Sequence, residues 1–218
     1  MIYFKTKGIV IYKKRIKEND ANVYILTKKN GIKKIYAQGL YQIKSKNLPL
    51  IQIGNYLQIF GLKEGENLKL ISVLPLKTRF LYFKKYPYLY LWSFSLLTKI
   101  NLLETDDFLW KIYLHLERFI IKKNFPHYLI FHLLRILGFE PDLLRCFRCQ
   151  RKLKKEIYFD GKKALFCGYC KKAAYQKISY WEWLEAIKIK SKNKIPERVP
   201  KFLKTIIKTY FKNLKRLT

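Results

Sequence analysis

The first eighty residues fall into short apolar runs separated by turn residues, and from residue 87 onward the apolar positions return at helical spacing. Segments 6–13, 22–27, 32–38, 56–60 and 68–74 are enriched in Ile, Val, Tyr and Leu and are predicted as five strands. Asn30-Gly31 marks a hairpin between the second and third, and Glu64-Gly65-Glu66-Asn67 marks another between the fourth and fifth. Five strands of this length suit a small closed barrel, OB-fold or SH3-like, and the long connection 39–54 favours the OB order.

The helical part opens with segment 87–103, which is apolar almost throughout and predicts a buried helix. Phe108, Leu109, Ile112, Leu116, Phe119 and Ile120 then share one face of a second helix, with Thr105 as its expected N-cap and Asp106 and Asp107 in the first turn. Pro126 and Gly138 bracket a third. Ser179-Tyr-Trp-Glu182 is a capping box opening a helix to about residue 189, and prolines 196 and 200 break the chain after it. The last helix carries Phe202, Leu203, Ile206, Ile207, Tyr210, Phe211 and Leu214 on one face and Lys201, Lys204, Lys208, Lys212 and Lys215 on the other. An apolar stripe at this spacing reads as a helix docked on a bundle, with contact to phosphates or to anionic lipid as the alternatives.

Four cysteines change the picture. Cys146-Phe-Arg-Cys149 and Cys167-Gly-Tyr-Cys170, seventeen residues apart, account for every sulfur except that of Met1. Each C-x-x-C presents two thiolates from a tight turn, and two such turns complete a tetrahedron around one Zn²⁺. A filled tetrahedron has no open position, so the metal is expected to be structural. Strands near 156–159 and 163–166, joined across Asp160-Gly161, are predicted to carry one pair to the other. The N-terminus lacks the apolar run of a secretory signal, which disfavours disulfides, and no βαβ unit accompanies the pairs as in a redox dithiol. The expected class is therefore α+β: an OB-like nucleic-acid-binding barrel over residues 1–80, then a helical domain over 81–218 with a zinc element at 142–175.

Charge points to the partner. Lys and Arg number 46 against 15 Asp and Glu, a formal net charge of +31. Residues 1–80 hold 16 basic and 4 acidic groups, residues 81–141 hold 8 and 5, and residues 142–218 hold 22 and 6. A uniform compositional drift would charge the middle as heavily as the ends, so the excess at both ends marks binding surfaces for a polyanion. A barrel face binds single strands by pairing cations for phosphates with aromatic rings for bases. The candidates are Lys13, Lys14, Arg15, Lys33, Lys34, Tyr36, Lys44 and Lys46, with Lys34 and Tyr36 sharing one strand face; Arg148 and Arg151 beside the first cysteine pair are candidates for a second patch.

Enzyme signatures are thin. His115, His127 and His132 lie in apolar helical surroundings that suit packed imidazoles, and there is no Gly-rich phosphate loop, H-E-x-x-H or G-x-S-x-G. No apolar stretch approaches the roughly eighteen residues of a spanning helix, so a soluble cytoplasmic protein is expected.

The order of parts resembles a known family. Leu133-Leu-Arg-Ile-Leu-Gly-Phe-Glu-Pro-Asp-Leu-Leu-Arg-Cys146-Phe-Arg-Cys149, in which a helix ends at Leu-Gly-Phe, passes an acidic-proline turn and delivers the first cysteine pair, is similar to the corresponding stretch of the bacterial RecO family of DNA repair proteins. Thr6-Lys-Gly-Ile-Val-Ile-Tyr12, Glu18-Asn-Asp20, Leu26-Thr-Lys-Lys-Asn-Gly31 and Ala37-Gln-Gly39 follow the family in outline. One departure is Gln38 with Leu40-Tyr41-Gln42, where the family usually has basic residues; here these are displaced to Lys44 and Lys46. The resemblance implies a recombination mediator without catalysis that binds single- and double-stranded DNA and anneals complementary strands. It also implies engagement of the C-terminal tail of single-stranded DNA-binding protein, and loading of RecA together with RecR. A zinc-containing OB-fold protein that binds RNA or the ribosome is the alternative.

Overall fold

Five strands, β1 (Ile2–Arg15), β2 (Ala21–Thr27), β3 (Ile32–Ala37), β4 (Tyr56–Glu64) and β5 (Asn67–Lys77), close a barrel in the order β1-β2-β3-β5-β4. The structure is a computed structural model, and it describes residues 2–79, 84–100, 104–138, 142–191 and 199–217, with the side chains of 190, 191 and 210–217 outside that description. Neighbouring strands are antiparallel except β3 and β5, which run parallel at Tyr36 and Lys69. This is the OB arrangement, and the SH3-like alternative falls away.

Val10, Val23, Ile25, Ile35, Leu57 and Ile59 fill the interior. β1, β4 and β5 run longer than their apolar runs, into extensions that are largely exposed, such as Ile2 and Tyr3 of β1, Lys63 and Glu64 of β4, and Pro75 and Leu76 of β5. In β1 the pairing with β2 slips between Val10 and Tyr12, so Ile11 is the extra residue of a bulge. The slip reverses the alternation: Val10 faces the core, while Tyr12 and Lys14 turn outward opposite Tyr24 and Asn22.

The first compact unit spans Met1–Ile120, past the boundary expected at residue 80, and takes in α1 (Pro87–Leu97), α2 (Asp107–Leu114) and α3 (Leu116–Ile120). The reason lies in Arg79, whose side chain is buried. Its guanidinium donates to the carbonyls of Tyr113 and Leu114, each at 2.5 Å, and faces Glu117 at 3.8 Å. Lys77 also donates to Glu117. Helix-end carbonyls have no partner within the helix, and here the arginine supplies it. The expected continuous second helix is accordingly broken at His115, whose φ of −126° leaves the helical range. Its N-cap is Asp106, which accepts from the N–H of Leu109 at 2.5 Å, and Thr105 lies one residue outside that role.

A second tie joins barrel and helices at Gly54. A Cβ there would meet the Tyr90 hydroxyl at 1.5 Å, and that hydroxyl donates to the carbonyl of Ile53 at 3.3 Å. Only glycine permits this approach, at a φ of +87°. α1 ends at Leu97, short of the expected helix: residues 98–100 form a turn, and 101–103 lie outside the described residues.

The second unit, Ile121–Thr218, contains α4 (Phe125–Ile136), the small sheet of β6 (Ile157–Phe159), β7 (Leu165–Cys167) and β8 (Gln176–Ile178), then α5 (Tyr180–Ser191) and α6 (Lys201–Leu217). α4 starts at the expected proline and is followed by Gly138 at φ +76°. The hairpin β6–β7 is where it was expected; β8, which adds to its other edge, was not, since two of its three residues are exposed and polar. Ser179 Oγ accepts from the N–H of Glu182 at 3.2 Å, as a capping residue should. α6 packs on α4 with Phe202, Leu203, Ile206 and Ile207 buried and Lys201 and Lys208 exposed, which is the docked-helix reading. The acidic-proline turn at 140–141 and the proline break at 196 lie outside the described residues. No described helix is long and apolar enough to cross a membrane.

Burial pushes the Glu117 carboxyl up, but the hydrogen bond from Lys77 and the charge of Arg79 outweigh it and hold the carboxyl below its ordinary value. A depressed folded pKa contributes stability that is present above the unfolded value, about 4.3, and is lost as pH falls through the folded value. Glu117→Gln should therefore destabilise the first unit by about 3–5 kcal/mol at neutral pH by stranding Arg79. It should also flatten the acid limb of the stability profile, as read from denaturant midpoints by Trp110 fluorescence.

Candidate nucleic-acid interface and metal centre

On the outside of the barrel, strand register assembles two rows across β1, β2 and β3. One runs Lys14, Asn22, Tyr36 and the other runs Tyr12, Tyr24, Lys34. The Tyr12 and Tyr24 rings lie 5.8 Å apart between centroids, and Tyr12 is 40% exposed. Two tyrosines flanked by Lys14 and Lys34 thus form an aromatic and cationic platform on the strand face that OB barrels use for oligonucleotides. Sequence reasoning found Lys14, Lys34 and Tyr36 but missed both tyrosines of the second row. The signal was a Tyr on each strand of the first hairpin, legible only once the bulge at Ile11 sets which face Tyr12 takes.

The other candidates are placed differently. Lys13 pairs with Val23 on the opposite face of β1, where its ammonium donates to Gln52 at 3.3 Å and burial lowers its pKa. Arg15 donates to the Glu18 carbonyl, at 2.8 Å through Nε, and its guanidinium lies 5.0 Å from the centre of the Tyr41 ring. It therefore organises the β1–β2 turn. Lys33 is exposed on the side of Ile35, and it borders, with Lys34 and Tyr36 of the rows and with Lys63 and Lys69, an open groove of about 1220 Å³ beside β3 that also touches Glu64 and Glu66. Lys44 and Lys46 are exposed in the turn-rich connection after β3.

Asp20 explains why the turn before β2 and the Gly after β3 occur together. Its carboxylate accepts from the Gly39 N–H at 2.8 Å and the Tyr36 hydroxyl at 2.6 Å, and these bonds, the backbone one first, hold it below the ordinary range. Tyr36 is raised by the same bond. Its hydroxyl is committed to Asp20, which leaves only the ring face for a ligand.

In the second unit the thiols of Cys146, Cys149, Cys167 and Cys170 lie within 4.8 Å of one another, and among the described residues they are the one such group of potential metal ligands. The Sγ atoms of Cys149 and Cys167 are 3.7 Å apart. A tetrahedron with bonds of about 2.3 Å has edges of about 3.8 Å, so the spacing fits one metal ion. The first pair is held by Cys146 N–H to the Arg151 carbonyl at 2.8 Å and Phe147 N–H to the Leu165 carbonyl at 2.9 Å, the second by Cys170 N–H to the Cys167 carbonyl at 3.0 Å.

Burial opposes a Cys146 thiolate, yet the backbone N–H groups of Cys149, Cys167 and Arg148 bring it down to about 6. Cys170 is pushed up to about 12, by burial and then by the thiols crowded around it. Four sulfurs this close ionise together only around a cation. Arg148 is exposed at the first turn, and the Arg151 guanidinium lies 5.9 Å from the centre of the Tyr169 ring.

A closed OB barrel and a helical unit bearing four clustered thiols define the class: an α+β protein of the OB-barrel kind with a four-cysteine cluster that could hold a metal ion. The description "Recombination protein O N terminal" matches residues 1–80 and "Recombination protein O C terminal" matches residues 122–211. DNA repair protein RecO of Clostridium acetobutylicum is 25% identical over 213 residues, covering 87% of this chain and 83% of its own. The chain belongs to the RecO family, whose work is DNA repair and recombination, as a mediator and not as a known catalytic enzyme.

Gln150, following the first cysteine pair, is the one non-glycine residue at positive φ among those described, at 59°. That conformation costs an L residue about 1–2 kcal/mol, offset here in part by its amide donating to the Phe147 carbonyl at 3.2 Å. Gln150→Gly should raise the stability of the metal-loaded second unit by about 0.5–1 kcal/mol in denaturant unfolding.

Proposed function

We propose that the chain binds single- and double-stranded DNA on the outer face of the barrel and anneals complementary strands. The carrying observation is the platform of Tyr12 and Tyr24 between Lys14 and Lys34. Lysines screen the phosphates of two strands and release their counterions, while the rings take bases presented by one of them. Lys33, Lys44 and Lys46 extend the cationic rim, and Arg148 and Arg151 supply further phosphate contacts on the second unit. Lys13 and Arg15, engaged by Gln52 and by the β1–β2 turn, support the platform from behind.

The metal is Zn²⁺, held by the four cysteines in a structural role that an all-thiolate donor set with no open position supports. Family membership supports the remaining assignments: partnership with RecR, docking of the C-terminal tail of single-stranded DNA-binding protein, assistance to RecA loading, and residence in the cytoplasm.

Four measurements test this. Tyr12→Ala with Tyr24→Ala should weaken single-strand binding by about 1–3 kcal/mol per base lost. Wild-type affinity should also fall with salt at a slope near −0.7 per neutralised phosphate, and a flat response between about 50 and 200 mM would sink the proposal. RNA preference without strand annealing would favour the RNA-binding alternative. Chelation should release one metal ion per chain and expose the 142–175 element to trypsin while the barrel stays folded.

A further inference from the structure

The two cysteine turns each place an exposed aromatic ring at their tip, Phe147 at 60% exposure and Tyr169 at 91%. The Phe147 ring meets Phe166 edge-on at 5.9 Å, and Phe166 lies 4.6 Å from Tyr175, so the first tip continues into an aromatic shelf. A cavity of about 340 Å³ opens on this shelf, lined by Phe147, Phe166 and Tyr175 with Arg148 and Lys172 among its walls. No carboxylate lines it.

Charge in this element is one-sided for a reason that can be traced. Residues 142–178 hold 11 basic and 3 acidic side chains. Asp142 accepts from the N–H groups of Leu144 and Arg145, Asp160 from those of Lys162, Lys163 and Ala164, and Glu156 faces Lys177 at 3.9 Å. All three acids are thus engaged locally, and none opposes Arg148, Arg151 or Lys172. Exposed rings at metal-braced tips, beside arginines without a carboxylate partner among the described ion pairs, match a ligand that is flat, aromatic and anionic at short intervals.

We infer that the cysteine turns form a second binding site, for single-stranded nucleic acid, in which unpaired bases stack on Phe147 and Tyr169 while Arg148, Arg151 and Lys172 take the adjoining phosphates. The inference rests on the reading of this chain as a nucleic-acid binder but concerns a site separate from the barrel face. The interior of a duplex cannot reach the rings, because stacked neighbours cover both faces of each base there. DNA and RNA strands are both accepted, since a base's π-face carries no record of its sugar.

The test uses the full metal-loaded chain and fluorescence anisotropy with a labelled dT oligonucleotide, a matched rU oligonucleotide and a blunt DNA duplex. Phe147→Ala with Tyr169→Ala should lose about 10-fold in affinity for both single strands, little for the duplex, and no metal. Phe147→Trp with Tyr169→Phe should bind as wild type. Unchanged single-strand affinity in the double alanine variant, while Tyr12→Ala with Tyr24→Ala loses it, would overturn the second site and leave the barrel reading standing. An equal loss on duplex would also overturn it, and wild-type protein that holds no oligonucleotide would bring down the barrel reading itself. If the double variant sheds metal, Tyr169→Ala alone decides, its ring being 91% exposed with the Arg151 guanidinium over it.

Discussion

A buried guanidinium needs acceptors in place of water, and the first unit supplies Arg79 with two carbonyls, while its Nε makes no hydrogen bond and faces the Glu117 carboxylate at 3.8 Å. Taking the group out of water costs several kcal/mol unless carbonyls and a carboxylate replace the lost hydration. The chain meets most of the requirement by ending α2 early, so that the carbonyls of Tyr113 and Leu114 accept from the arginine, and by restarting as α3 with the Glu117 charge nearby. The backbone N–H of Arg79 bonds the Asn55 side chain at 3.2 Å, and Asn55 holds the Leu50 carbonyl and the N–H of Val10. One residue just past the last strand thereby couples a helix break, the long connection after β3 and the core strand β1.

That coupling explains what was legible beforehand and what was not. The five strands were readable because each buries one face, and the hairpin turns because Asn30-Gly31 and Glu64-Gly65 have a local stereochemical meaning. The break at His115 was not readable, since Phe108, Leu109, Ile112, Leu116, Phe119 and Ile120 keep helical spacing straight through it; only a tertiary partner 34 residues earlier in the chain demands it. The bulge at Ile11 was equally silent, because an inserted Ile looks the same as a paired one. Its consequence reached the site: it decides that Tyr12 joins Tyr24 and Lys14 outside and that Lys13 points away.

The thiol cluster stands at the other extreme of legibility. A potential metal site of this kind is written in four residues of one type at short fixed intervals, and little else competes for that pattern. What could not be read there was the third strand, β8, whose Gln176 and Lys177 offer no apolar signal and which pairs with β6 while burying only Ile178. Nor does composition reveal that three acids in this element are occupied by turns and by one lysine, leaving its arginines without opposing charge.

Arginine and lysine divide the labour in a way that follows from their chemistry. Of the 46 basic residues only 9 are Arg. Several of those sit where a planar fork is needed: Arg79 against helix-end carbonyls, Arg15 against a turn carbonyl and the Tyr41 ring, Arg151 over Tyr169. Lysine, strongly hydrated and flexible, spreads positive potential without fixing geometry. A protein that must hold strands of any sequence gains little from precise base-edge contacts. On the proposed function, diffuse lysine charge would collect phosphates while a few ring faces take unpaired bases, an arrangement that discriminates by strandedness and ignores sequence.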